Sequence, residues 1–239
     1  MRTVRERAVA QAARRVSHEH HDAVLFDLDG VLTSTSALHA ACWKQAFEDV
    51  IGESFDTGRD YLVHVDGKPR DEGVRDFLGS RGIDATPEAV RDIGSRKQAL
   101  VERALAVGDV EAFPGSVRWV EQLRIAGVRT AVVSASSNCG AVLLAAGIAD
   151  LFELTVDGRD VEQLGLRGKP APDGFLEAAT RLRVAPTRAV VVEDSLAGVA
   201  AGHAGEFGLV IGVARGATAS DLYSAGADIV VEDLGELIT

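Results

Sequence analysis

The chain has 239 residues, 46% of them hydrophobic, and a formal net charge of −11. That length fits one large domain or two small ones and is ample for a sizeable core. No apolar run approaches the roughly 20 residues of a membrane helix, and the acidic balance argues against a nucleic-acid partner. Two cysteines, Cys42 and Cys139, stand far apart without a CxxC spacing, which excludes a disulfide framework and suits the cytoplasm. Cys139 reads best as a small packed thiol.

Residues 1–22 carry Arg2, Arg5, Arg7, Arg14 and Arg15 among alanines. They lack an apolar signal core, so they read as a leader or surface helix rather than a secretory signal. His18, His20 and His21 around Glu19 offer adventitious metal binding at most.

The stretch 23–33, Ala-Val-Leu-Phe-Asp-Leu-Asp-Gly-Val-Leu-Thr, organises the rest of the chain. Its apolar, β-preferring run predicts a strand buried on both faces, as in a parallel sheet. The strand delivers Asp27 and Asp29 at its carboxyl end, where open α/β sheets bind ligands. Residues two apart on a strand point the same way, so both carboxylates can face one pocket. Gly30 lets the backbone turn away.

Ser34-Thr35-Ser36 suits a hinge and a helix cap. A helix is predicted over 37–50, with Leu38, Cys42, Ala46 and Val50 on one face and Gly52 ending it. Residues 61–65 fit either strand or helix. Residues 66–70 form a loop by their punctuation, and 74–79 a helical piece. Thr86-Pro87-Glu88 opens a helix that stops at Gly108. From 36 to 109 the chain is therefore mostly helical, and we expect it to be a cap inserted into an α/β core formed by 23–35 and 110–239.

From Pro114 onward strand and helix alternate: helix 116–126, strand 129–133, helix 141–146, strand 152–156, helix 174–182, strand 189–192, a short helix, strand 209–213 and strand 228–231. The alternation with short connections predicts a doubly wound parallel sheet. No repeat of 20–50 residues interrupts it.

Polar groups cluster where these strands end: Asp27 and Asp29, Ser134 and Ser136, Lys169 in a loop, then Glu193 and Asp194. Acids converging at one edge are costly without a cation. Hard oxygen ligands suit Mg2+. Lys169 adds a point charge for a phosphate, and Ser134 with the N–H groups after it can hold phosphate oxygens. A carboxylate can then attack phosphorus, while the second aspartate serves as acid and base.

This order of motifs resembles the haloacid dehalogenase-like superfamily over nearly the whole chain after residue 23. The resemblance implies Asp27 as nucleophile, Asp29 as acid/base, Ser134, Lys169 and the Glu193-Asp194 pair in the later motifs, and Mg2+ held by Asp27, Asp29, Glu193 and Asp194, with Asp29 offering its carbonyl. The β-phosphoglucomutase-like subfamily is closer still. Thr35, His39 and Trp43-Lys44 match its hinge and first cap helix, Arg70 its cap arginine for a distal phosphate, and Arg96-Lys97 its basic pair near the sugar phosphate. Ser134-Ala135-Ser136 and Asn138 match its phosphate loop. Three positions depart: Ser34 replaces an acid, Ser137 a lysine, and Asp66 a cap lysine, with Lys68 beside it as a substitute.

The resemblance implies a mutase taking β-glucose 1-phosphate to glucose 6-phosphate through the 1,6-bisphosphate. A phosphatase acting on a small phosphorylated sugar or metabolite uses the same residues. A phospho-accepting or binding module is the reading from another class. The expected partner is a small phosphorylated sugar, with no nucleic acid or membrane, and the chain is expected to be a monomer or weak dimer.

Overall fold

The structure, a computed structural model, describes residue 16 and residues 19–108 and 110–238. The arginines at 2–15 and His18 of the expected leader lie outside the described residues, as does Asp109. Six strands form one parallel sheet in the order β3-β2-β1-β4-β5-β6. They are β1 (Ala23–Phe26), β2 (Arg129–Val133), β3 (Leu154–Val156), β4 (Ala189–Glu193), β5 (Leu209–Val213) and β6 (Ile229–Val231). The order reverses beside β1, which makes the sheet doubly wound and opens a crevice between the ends of β1 and β4.

The strands read as continuous apolar runs because both faces are covered. Val24, Phe26, Val132, Val190, Val192 and Ile211 share one buried cluster with Trp119, Val120 and Leu123 of helix α4 (Pro114–Ile125) and with Val142 and Leu143 of α5 (Cys139–Ala145). The alternate residues Ala23, Leu25, Ala131, Val133 and Val191 pack on the other face against Phe175, Ala178 and Leu182 of α7 (Asp173–Leu182). Between these helices, α6 (Gly158–Leu164) follows β3. Helices α8 (Leu196–Ala204) and α9 (Ala219–Ala225) follow β4 and β5.

Between β1 and α4 lie α1 (Ser36–Ile51), a π-helical turn (Tyr61–Val65), α2 (Arg70–Ser80) and α3 (Pro87–Val107). They enclose a hydrophobic cluster of their own. Phe47 is its hub: its ring stacks on Trp43 at 5.3 Å and on Phe55 at 5.2 Å, and tilts onto Phe77 at 4.2 Å. Thr86 caps α3 by accepting from the Ala89 N–H, with Pro87 in the first turn. Gly52 ends α1 in the left-handed conformation at φ 69°.

Several details differ from the sequence expectations. β1 stops at Phe26. Asp27 still donates its N–H to Val192 O, but Asp29 sits in the turn beyond, so strand alternation does not set the direction of its side chain. The buried face of α1 runs through His39, Trp43 and Phe47 as well as Cys42 and Ala46, whereas Val50 is 38% exposed, because the packing partners come from α2 and α3. Residues 61–65 resolve into the π-helical turn. Helices α6 and α9 lack the apolar stripe that periodicity detects: α6 has no buried residue and α9 buries only Leu222.

Replacing Phe47 by alanine removes the hub of the helical cluster. Chemical denaturation should show a loss of about 3–5 kcal/mol.

Candidate active site

The register of the sheet builds the centre of the site. Phe26 lies level with Val132 on one side and Val192 on the other, so the next residues, Asp27 and Glu193, emerge side by side. Lys169, from the loop before α7, inserts between them. Its Nζ donates to Asp27 Oδ1 at 2.5 Å, to Glu193 Oε1 at 2.6 Å and to Val133 O at 3.3 Å. Glu193 Oε2 accepts from the N–H groups of Asp194 and Ser195 and from the Ser195 hydroxyl, each at 3.0 Å. Asp27, Lys169 and Glu193 are all buried. Gly30 sits at φ 84°, and a Cβ there would fall 1.8 Å from Asp194 Oδ2, so only glycine fits under that carboxylate.

Asp29 belongs to a second group. Thr35 donates its hydroxyl to Asp29 Oδ1 and lies 2.8 Å from Thr33 Oγ1. Thr35 precedes α1 but its side chain does not cap the helix, because the hydroxyl is committed to Asp29. His39 Nε2 lies 3.2 Å from Asp29 Oδ1, at ion-pair distance but outside hydrogen-bonding geometry. His39 Nδ1 lies 3.0 Å from Lys97 Nζ, and that ammonium rests over the Trp43 ring at 5.1 Å. The Asp29 side chain is 19% exposed to the enclosed cavity. Burial raises its pKa, but His39, Thr35 and Lys97 outweigh that effect and hold the carboxyl down to about 2. Burial, partly offset by Asp29, lowers the Lys97 ammonium to about 8.

The 134–138 loop forms the third wall. Ser134 Oγ accepts from the Ser136 N–H at 3.1 Å, and Ser136 Oγ accepts from the Asn138 N–H at 3.2 Å. Arg70 of α2 reaches across from the helical insert, its Nη2 donating to Ser137 Oγ at 3.1 Å and Gln98 Oε1 at 2.8 Å. Gln98 and Asn138 exchange amide hydrogen bonds at 2.9 and 3.3 Å. Insert and sheet enclose a cavity of about 660 Å³. Asp27, Asp29, His39, Trp43, Arg70, Lys97, Ser134, Ala135, Ser136, Asn138 and Asp194 line it, while Lys169 and Glu193 sit in the wall behind Asp27, and Thr35 behind Asp29.

One oxygen each of Asp27, Glu193 and Asp194 lie within 4.8 Å of one another, all buried. Burial pushes Asp27 well above the usual carboxylate range, with Lys169 opposing and Glu193 and Asp29 reinforcing. Burial pushes Asp194 up as well, followed by the charges of Asp66, Glu193 and Asp27. Among the described residues no protein cation pairs with Asp194. A compact set of hard oxygens with one carboxylate uncompensated fits a divalent ion. The Asp29 carboxylate is not in this set, because it is turned to Thr35 and His39.

Other expectations are corrected. Arg96 faces outward and pairs with Asp49. Lys68 is committed to Asp76 and to Val63 O, so its ammonium does not replace the cation absent at Asp66. Asp66 is itself buried near the acids, and burial followed by Glu193 pushes its carboxyl up to about 7. Cys139, by contrast, is the small packed thiol that the sequence suggests: it is buried, and burial pushes its thiol up. Gln98 and Arg159 also line the cavity. No sequence signal marked Gln98, since its role comes from facing Asn138 across the cleft. Arg159 follows Asp157-Gly158 at the end of β3, the same strand-end punctuation that marks the first motif.

Residues 21–205 match the family model described as haloacid dehalogenase-like hydrolase. The chain is 43% identical over 238 residues to the beta-phosphoglucomutase of Mycobacterium bovis, covering 90% of this chain and 91% of that protein. The crystal structure of beta-phosphoglucomutase from Clostridium difficile shares the fold, with a TM-score of 0.78 at 24% identity over 91% of this chain and 93% of that one. CbbY from Rhodobacter sphaeroides, solved in complex with Xylulose-(1,5)bisphosphate, superposes with a TM-score of 0.72 at 28% identity over 90% of this chain and 96% of that one. The chain thus belongs to the haloacid dehalogenase-like hydrolase family, in its β-phosphoglucomutase-like subfamily, and is an enzyme, a mutase or a phosphatase.

Proposed function

We propose that the protein is a Mg2+-dependent β-phosphoglucomutase that converts β-glucose 1-phosphate to glucose 6-phosphate through the 1,6-bisphosphate. The observation that carries this reading is the placement of Asp27 and Asp29 on one cavity in two different environments. Asp27 is buried against Lys169 beside the acidic set, and Asp29 is held ionised by the insert. The identity to the Mycobacterium bovis enzyme supports a glucose phosphate as substrate.

In this reading the Asp27 carboxylate attacks phosphorus, and a P–O bond to Asp27 forms as the bond to the donor oxygen breaks. Lys169 fixes the rotation of the Asp27 carboxylate through its grip on Oδ1. Asp27, Glu193 and Asp194, with the Asp29 carbonyl that the resemblance implies, would hold Mg2+, which when bound neutralises charge so that an anionic phosphate can approach. Asp29, ionised at rest, takes the proton of an incoming sugar hydroxyl and later returns it to the leaving oxygen. Residues 36–109 act as a lid over the core formed by 23–35 and 110–239. Arg70 and Asn138 meet the sugar's other phosphate, and Lys97 with His39 senses closure at Asp29.

The phosphatase reading is favoured by one observation: Lys68 is paired with Asp76, and Ser137 offers a hydroxyl only, so the cavity lacks two expected cations. Incubation with β-glucose 1-phosphate, with and without its 1,6-bisphosphate, separates the two. Glucose 6-phosphate in molar excess over the bisphosphate added is the expected product, and release of free phosphate without that excess would overturn the mutase.

In Asp27→Asn, turnover of any phosphate ester should fall by about a thousandfold or more with the circular dichroism spectrum unchanged. Retained turnover rules out an aspartyl-phosphate on this residue, whereas turnover in the parent and loss in the variant excludes a non-catalytic module. Chelation with EDTA should abolish activity and added Mg2+ restore it, with Asp194→Asn needing more Mg2+ for half activation. Lys97 loses its charge as pH rises through about 8. The KM for the sugar phosphate should therefore rise above that pH, read from initial rates at saturating Mg2+.

A further inference from the structure

We infer that Arg159, which lines the same cleft as Arg70, is a substrate-positioning cation for the sugar's second phosphate. The inference rests on a substrate with two phosphates, as in the proposed function, and names a residue that the motifs do not include. Its ligand is a phosphate monoester dianion.

Three independent observations place it. First, Gly158 is pressed onto the 134–138 loop. It donates its N–H to Ser136 O at 3.3 Å, and a Cβ there would fall 2.7 Å from Ala135 O and 2.9 Å from the Ser137 N–H nitrogen. The next residue, Arg159, is therefore carried to the side of Ser137, and its side chain lines the same cavity. Second, Arg70 Nη2 lies 3.1 Å from Ser137 Oγ, so two guanidinium-bearing residues flank that serine, one from the insert and one from the core. Third, Arg159 is uncommitted. Asp157 spends its carboxylate on the N–H groups that open α6, and Asp160 pairs with Arg181. Among the described residues the Arg159 guanidinium has no carboxylate partner.

A phosphate between the two arginines would accept charge-assisted, paired hydrogen bonds, the arrangement for which a planar guanidinium is suited. The same placement supplies from α6 a charge that Ser137 does not. Glu162, one turn further along α6, also reaches the cavity. It disfavours an anion, which makes the charge on Arg159 matter more.

The test compares Arg159→Ala and Arg159→Lys with the parent on two donors: glucose 1,6-bisphosphate and acetyl phosphate, which has only one phosphate. Each donor is supplied without β-glucose 1-phosphate, so that water is the acceptor, and release of free phosphate is followed. In Arg159→Ala the half-saturating bisphosphate concentration should rise about tenfold with kcat unchanged. The acetyl phosphate KM should stay at the parent value, and Arg159→Lys should recover part of the loss. An unchanged bisphosphate value would overturn the inference, as would an equal loss on both donors. If the assay on β-glucose 1-phosphate overturns the mutase, the comparison of the two donors still decides the role of Arg159.

Discussion

The structure depends on one electrostatic constraint: the carboxyl end of the sheet carries more negative charge than a buried site tolerates alone. Asp27 and Glu193 emerge side by side because β1 and β4 are in register. Lys169 neutralises part of that charge by donating to both. Removing Lys169 would leave two buried carboxylates side by side without a cation, which costs far more than the intact cluster gains. Asp194 remains without a protein cation among the described residues, and its oxygen lies close enough to those of Asp27 and Glu193 for the three to hold an ion.

A second consequence of the constraint is division of labour between two aspartates only two residues apart. The turn after β1 points the first toward Lys169 and the second toward Thr35 and His39. Pairs of carboxylates with environments that push their acidity in opposite directions are suited to separate tasks in one reaction. Here the difference comes from which piece of the chain supplies the neighbours. The sheet loops surround Asp27, and the helical insert supplies the groups that hold Asp29 ionised.

The insert and the sheet have separate hydrophobic cores. They meet through small contacts: Gly67, at φ 70°, would place a Cβ 2.3 Å from Ser195 Oγ, a Cβ on Gly168 would fall 1.9 Å from Pro69 Cγ, and Arg70 reaches Ser137. Polar and backbone contacts of this kind separate at less cost than a shared apolar core. That fits the lid role proposed for the insert. Gln98 links Arg70 to Asn138 at the same seam, so a second phosphate would compete for partners already poised on both sides.

The parallel sheet and the chemical class of the site are legible in the order of residues alone. Buried strands read as unbroken apolar runs, and the aspartates, Lys169 and Glu193-Asp194 stand immediately after those runs or in the loops between them. Short-range signals such as Thr86-Pro87 and Gly52 likewise carry their own stop and start chemistry. Which partners each group meets emerges only once the chain is folded. Folding separated Asp29 from the carboxylate set, turned Arg96 to the surface, paired Lys68 with Asp76, and brought Gln98 and Arg159 to the cavity. The physical reason is one of range. Burial and backbone geometry are written in neighbouring residues, whereas the direction of a polar side chain is set by partners on other elements, from eight positions away for Lys68 and Asp76 to 142 for Lys169 and Asp27.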